Sequence, residues 1–135
     1  MRVGGEIVGA IGQGLLMLVC AEPSDTPVQA ETLITKVLKL RIFSDVDGKM
    51  NRSVQELGGG LLIVSQFTLA ADVSGGNRPS FSGAAGAVQS RMLYEHLLRQ
   101  ARRLHADVAC GEFGADMQVS LVNDGPVTIP MRVAA

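Results

Sequence analysis

Cysteine is scarce in this sequence: the 135 residues include two, Cys20 in an apolar run and Cys110 before Gly111, with no CxxC pair. A disulfide framework and a thiolate zinc site are thereby excluded, and two buried or half-buried thiols are expected. Histidine is equally rare. Only His96 and His105 occur, so a hydroxyl nucleophile has few bases to draw on. Neither charge sign dominates: the formal net charge is -1, far from the basic balance that gives a domain a broad grip on phosphates, so contact with nucleic acid should be local. No apolar stretch reaches the length of a membrane span, and Met1 to Glu6 lack the layout of a signal peptide. A soluble, cytoplasmic protein with no membrane partner is the expectation. Walker loop, dinucleotide fingerprint and metal motif are missing too, so no cofactor and no metal are expected. Asp45 with Asp47 reads as a turn and Glu112 with Asp116 as solvated surface, which leaves no carboxylate pair for acid–base work.

What is present is material for one core. Hydrophobic residues make up 47% of the chain, and 135 residues are the size of one domain, so residues 1–135 are read as a single unit. Glu6–Ile11 and Leu15–Cys20, separated by Gly12-Gln13-Gly14, predict a hairpin. Thr26, Pro27 and Gln29 predict a capped helix start, and Leu33, Ile34, Val37 and Leu38 carry an apolar stripe to about Leu40. Leu61-Leu62-Ile63-Val64, after the triplet Gly58–Gly60, is the strongest strand signal. Ala71 to Gly86 is too irregular for an element. A second amphipathic helix runs from Ala87 to about Leu104, with Val88, Met92, Leu93, Leu97, Leu98, Ala101 and Leu104 inward and Arg91, Glu95, Arg99 and Arg103 outward. Gln118–Val122 and Val127–Val133 predict two closing strands, with Pro130 marking the last as an edge. Together these give an α+β domain, a mostly antiparallel or mixed sheet or barrel with two helices packed on it.

Three polar segments carry possible chemistry. Ser65-Gln66-Phe67-Thr68-Leu69 follows the central strand, where polar side chains and free backbone amides emerge together. Its hydroxyls are nucleophiles only with a base, and neither histidine stands in a recognisable triad setting; they also serve simply to satisfy strand-end hydrogen bonds. Asn77-Arg78-Pro79-Ser80-Phe81 joins a cation for phosphate or carbonyl groups to a ring that stacks on a base or anchors the loop. Asn123-Asp124-Gly125-Pro126 reads as a turn, although an X-Pro bond is cheaply cis and then turns its flanking carbonyls to one side.

Ser65-Gln66-Phe67-Thr68-Leu69-Ala70-Ala71-Asp72 and Asn123-Asp124-Gly125-Pro126-Val127-Thr128 resemble, in order and spacing, the two signatures of D-aminoacyl-tRNA deacylases. The similarity extends through Arg41-Ile42-Phe43-Ser44-Asp45, Gly48-Lys49-Met50-Asn51, Arg78-Pro79-Ser80-Phe81 and Asp116-Met117-Gln118-Val119-Ser120-Leu121. The resemblance implies an ester hydrolase of translation quality control that acts on D-aminoacyl-tRNA, and on glycyl-tRNA mischarged on tRNA(Ala). Its partners would be the 3′ acceptor end of the tRNA and a second copy of the chain, not DNA. The resemblance further implies a cis Gly125-Pro126 step whose carbonyls hold the substrate α-amino group in the partner's site, where an L side chain collides with backbone. Asn123, Ser65, Arg78 and Phe81 would bind substrate. Gln66, Phe67 and Thr68 would lie at the ester, with water attacking, main-chain donors near Phe67 and Thr68 stabilising the oxyanion and the ribose 2′-hydroxyl assisting. Thr68 then positions substrate rather than attacking it. The alternatives are a covalent esterase using Thr68 or Ser65, and a non-catalytic module that binds an RNA end or a small molecule. The family also has a strand ahead of the segment matching Val3-Gly4-Gly5-Glu6, which this chain is expected to lack, leaving a sheet edge open.

Overall fold

The run Leu61 to Val64 needs both of its faces buried, and the rest of the chain is arranged around that need. In the computed structural model, which describes residues 1–135, it forms the middle of β6 (Gly60–Ser65). β3 (Gly14–Val19) and β7 (Val108–Cys110) flank it in the order β3-β6-β7, both parallel to it. On one face Leu61 and Ile63 meet Ile34, Val37 and Leu38 of α1 (Pro27–Lys39) and Leu97, Leu98 and Ala101 of α3 (Ala87–Leu104). On the other, Leu62 and Val64 cluster with Met1, with Met117 and Val119 packed against them. A central strand of a parallel sheet is therefore apolar throughout rather than alternating.

That second face is closed by a small antiparallel sheet of β1 (Arg2–Val3), β2 (Glu6–Ile7) and β8 (Met117–Gln118), in the order β2-β1-β8. A hairpin of β4 (Phe43–Ser44) and β5 (Met50–Arg52) and a single-turn helix α2 (Val54–Leu57) connect α1 to β6. The architecture is α+β with mixed strand pairing and two long helices on one face, as expected. No helix is long and apolar enough to cross a membrane.

The two long helices begin where their sequences say. Thr26 is the N-cap of α1 and Pro27 its first residue; Gln29 Oε1 accepts from the Thr26 N–H and hydroxyl, both at 2.7 Å. α3 has the expected bounds, and Leu93, Leu97, Leu98 and Ala101 are buried as expected, but Val88, Met92 and Leu104 are exposed and Tyr94 joins the inward face. Tyr94 is buried and donates its hydroxyl to the Ile63 carbonyl at 3.0 Å, whereas Val88 and Met92 stand 87% and 55% exposed. The hydrogen bond anchors the middle of the helix to the central strand alongside the buried Leu93, Leu97, Leu98 and Ala101.

Two strand expectations fail. Glu6–Ile11 and Leu15–Cys20 do not form a hairpin: β2 pairs with β1, and β3 pairs parallel with β6 in a different sheet. The reason is the central strand, which takes β3 as its neighbour, and the Gly14–Gly60 pair lets the two backbones approach so closely that a Cβ on Gly14 would lie 1.9 Å from the Gly60 oxygen. At the other end, Gln118–Val122 and Val127–Val133 are not strands beyond Gln118. A strand needs a partner, and β1 offers only two residues, both already matched to Met117–Gln118. Leu121, Val122 and Ile129 consequently stand exposed within one chain.

Candidate active site

At the end of β6, Ser65 is still in register with Val19 of β3, and the Gln66 N–H donates to the Val19 carbonyl at 2.8 Å, one residue past the strand. The chain then leaves the sheet in a single 3-10 turn, Phe67–Ala70. Its first internal bond runs from the Leu69 N–H to the Gln66 carbonyl, at 3.2 Å. The N–H groups of Phe67 and Thr68 precede that bond, on an exposed segment, and a turn of helix leaves such leading donors to other acceptors. Gln66 Nε2 donates to Thr68 Oγ1, which fixes the hydroxyl. Phe67 is held from the side by Phe81, the rings edge to face with centroids 5.1 Å apart. Phe81 is therefore a loop anchor, and it brings the Arg78-Pro79-Ser80-Phe81 loop beside the signature turn. Arg78 itself is exposed.

No base reaches this hydroxyl pair. His96 Nε2 lies 2.9 Å from Glu31 Oε1 on α1, and His105 Nε2 lies 2.7 Å from the Gly59 carbonyl. Both imidazoles serve the helix layer. Cys20 is the neighbour that sequence reading passed over. Its Sγ lies 3.6 Å from the Phe67 carbonyl and 3.4 Å from that of Ala21, and burial pushes its thiol pKa up, so it is a neutral packing group beneath the turn. The signal for it was topological: a parallel neighbour of β6 that ends in register with Ser65 must set its next residue beside Gln66.

The second signature is built differently. Asn123 Oδ1 accepts from the Val127 N–H and its Nδ2 donates to Thr128 Oγ1, each at 3.0 Å, so the side chain braces the loop between them. Within that loop the Gly125–Pro126 bond is cis and Gly125 has φ +126°. A Cβ there would lie 2.7 Å from Val127 Cγ2, so glycine is required by both conformation and space. In one chain the structure unites Ser65, Gln66, Phe67, Thr68 and Phe81. The bonds of Asn123 stay within its own loop, and Gly125 and Pro126 are exposed. No three His, Cys, Asp or Glu side chains converge as a metal site requires.

A family model described as D-Tyr-tRNA(Tyr) deacylase matches residues 1–132. The chain belongs to that family. Its relatives include the D-aminoacyl-tRNA deacylase of Methylibium petroleiphilum, 72% identical over 98% of this chain and 88% of the relative. The protein of the same name from Aromatoleum aromaticum is 66% identical over 97% of this chain and 86% of its own. Among solved structures, one titled c-Myc DNA Unwinding Element Binding Protein superposes with TM-score 0.93 at 40% identity, over 99% of this chain and 91% of that one. A probable eukaryotic D-amino acid tRNA deacylase, at 17% identity, TM-score 0.66 and coverage of 77% and 76%, shares the fold. Membership in the deacylase family makes the chain a hydrolase by class.

Proposed function

We propose that the chain hydrolyses the ester between a D-amino acid, or glycine, and the 3′ end of a tRNA, as a cytoplasmic homodimer, and spares L-aminoacyl esters. The observation that carries this reading is the 3-10 turn at Phe67–Ala70, whose first two N–H groups take no part in the turn's own bonds. Water attacks the ester carbonyl, the oxyanion forms against those two donors, and the 3′ oxygen leaves with a proton to give free amino acid and tRNA. Thr68, tied to Gln66, positions the substrate, because no base is within reach of its hydroxyl. The 2′-hydroxyl beside the ester assists. An ester needs little more than placement and charge stabilisation to hydrolyse.

Main chain at Gly125-Pro126 receives the substrate's α-carbon, as the resemblance implies. A surface with no side chain of its own rejects an L substituent by collision and leaves D substituents pointing outward. Glycine has nothing to collide and is accepted, so glycyl-tRNA(Ala) falls within the substrate range. Exposed Leu121, Val122 and Ile129 on either side of this loop support a second copy as the surface that receives it.

Deacylation of D-aminoacyl-, glycyl- and L-aminoacyl-tRNA by the parent, Gly125→Ala and Thr68→Ala proteins tests the reading. The parent should cleave the first two and spare the third. Gly125→Ala should lose D-substrate turnover at least tenfold with its circular dichroism unchanged, and Thr68→Ala should keep substantial activity. Parental rates in Gly125→Ala, or a loss of four orders of magnitude in Thr68→Ala with the fold intact, would overturn the mechanism. Binding of the tRNA without any turnover by the parent would reduce the chain to a binding module.

A further inference from the structure

We propose that the open groove along α1 from Glu31 to Lys39 and the Leu40-Arg41 step that follows binds successive phosphates of the tRNA backbone and shares no residue with the ester site; this rests on the deacylase reading for the identity of the RNA. The groove is open, about 660 Å³ in volume, and is lined by Thr32, Thr35, Lys36, Lys39 and Arg41, with Glu31 and Leu40 completing it. Three cations therefore meet one acid, and that acid is engaged with His96 at 2.9 Å. None of the three forms an ion pair.

Lysines in the last turn of a helix have an ordinary explanation in the helix dipole, which accounts for Lys36 and Lys39 alone. Arg41 lies beyond the helix and is built into place. Its Nε donates to the Asn51 carbonyl at 3.2 Å and its Nη2 to Asn51 Oδ1 at 2.6 Å. Asn51 Nδ2 donates in turn to Asp45 Oδ2 at 2.8 Å, while Asp45 Oδ1 accepts from the N–H groups of Asp47 and Lys49 at 2.8 and 3.0 Å. The Asn51 amide is the main cause holding the Asp45 carboxyl below its usual range. The acid thus orders the hairpin without touching the guanidinium, which keeps three of its five N–H donors free. A fixed arginine that forms no ion pair and lines the same groove as two lysines and two threonines suits a row of phosphates better than a single anion. It also reconciles a net charge of -1 with an RNA substrate, because the groove is locally basic although the whole chain is not.

The test is binding of deacylated tRNA, by fluorescence anisotropy across a KCl series. At about 0.7 to 0.9 per phosphate neutralised, three contacts give the parent a log–log salt slope of roughly 2 to 3. Lys36→Gln/Lys39→Gln/Arg41→Gln should bind at least tenfold more weakly at low salt, with a slope below about 1. The Lys36→Gln/Lys39→Gln pair, on exposed helix positions, repeats the test without touching the hairpin. Arg99→Gln/Arg103→Gln, which removes equal charge from α3, should bind as the parent does. In turnover, the triple variant should raise KM for D-aminoacyl-tRNA and leave hydrolysis of a D-aminoacyl-adenosine, which has no tRNA body, unchanged. Parental affinity and slope in the triple variant overturn the groove, as does equal loss on the adenosine ester. Equal binding of a DNA duplex of the same length, lost in the same variant, overturns the assignment to RNA. If the parent binds tRNA in this way but cleaves neither ester, the deacylase reading falls and the groove stands on the binding data.

Discussion

Tyr94 shows how one polar atom is accommodated in an otherwise apolar helix face. Its hydroxyl donates to Ile63 at 3.0 Å and lies 3.4 Å from the Gly111 carbonyl, tying α3 to β6 and to the segment after β7. Desolvation by burial is the main cause that pushes its pKa from an ordinary 10 up to about 12. Between those values the folded state holds a proton that the unfolded chain releases, so stability present below pH 10 is lost as pH rises toward 12. Urea unfolding should accordingly show a midpoint that falls over this window in the parent and falls less in Tyr94→Phe. At neutral pH the same variant should be destabilised by about 0.5 to 1.5 kcal/mol, since one hydrogen bond is lost while Ile63 keeps its bond from the Gly111 N–H. An identical pH response in both proteins would show that the hydroxyl is solvated. The sequence could not reveal this. A tyrosine within an arginine-rich helix reads as surface until a carbonyl is seen to face it.

Helical spacing and caps made α1 and α3 legible to within a residue or so, and an unbroken apolar run identified β6. Pairing was not legible, because alternation says which face a strand buries and nothing about which neighbour it takes. The β3–β6 pair depends on Gly14 opposite Gly60, where any side chain on Gly14 meets backbone at 1.9 to 2.7 Å. Gly14→Ala is expected to cost about 3 kcal/mol or more by forcing the strands apart. Gly12→Ala, with nothing within 4 Å of the new methyl group, should stay within about 0.5 kcal/mol of the parent. Equal denaturation midpoints for the two variants would mean that the strands separate at little cost. The site was legible in the same uneven way. Resemblance located both signatures, but the unused N–H groups of Phe67 and Thr68 and the thiol of Cys20 below them follow from the turn and the parallel register.

Only 19 of 135 residues are buried, few for a chain nearly half hydrophobic, and Leu121, Val122, Val127 and Ile129, all beyond β8, are among the exposed apolar residues. The stretch from Val119 to Ile129 has the composition of strands and no partner for them within one chain. The homodimer proposed above would cover this stretch. Sedimentation velocity should give twice the chain mass for the parent. Leu121→Asp/Val122→Asp should sediment as a monomer with its helices intact, and should lose deacylation together with the partner. A monomeric parent, or a variant that stays dimeric and active, would remove the second copy from the mechanism.

The last segment also behaves as a beam supported at both ends. Near β8 it rests on the cluster beneath Leu62 and Val64 through Met117 and Val119; at its far end Met131 packs on the helix-side core, and Arg132 Nε donates to both oxygens of Glu22 at 2.9 and 3.0 Å. Between these piers the Asn123–Thr128 crest has its own truss in the two hydrogen bonds of Asn123. Through the Arg132–Glu22 pair this segment is tied to the loop that leads into α1, so the gate proposed at Gly125-Pro126 and the groove proposed along α1 would rest on one foundation.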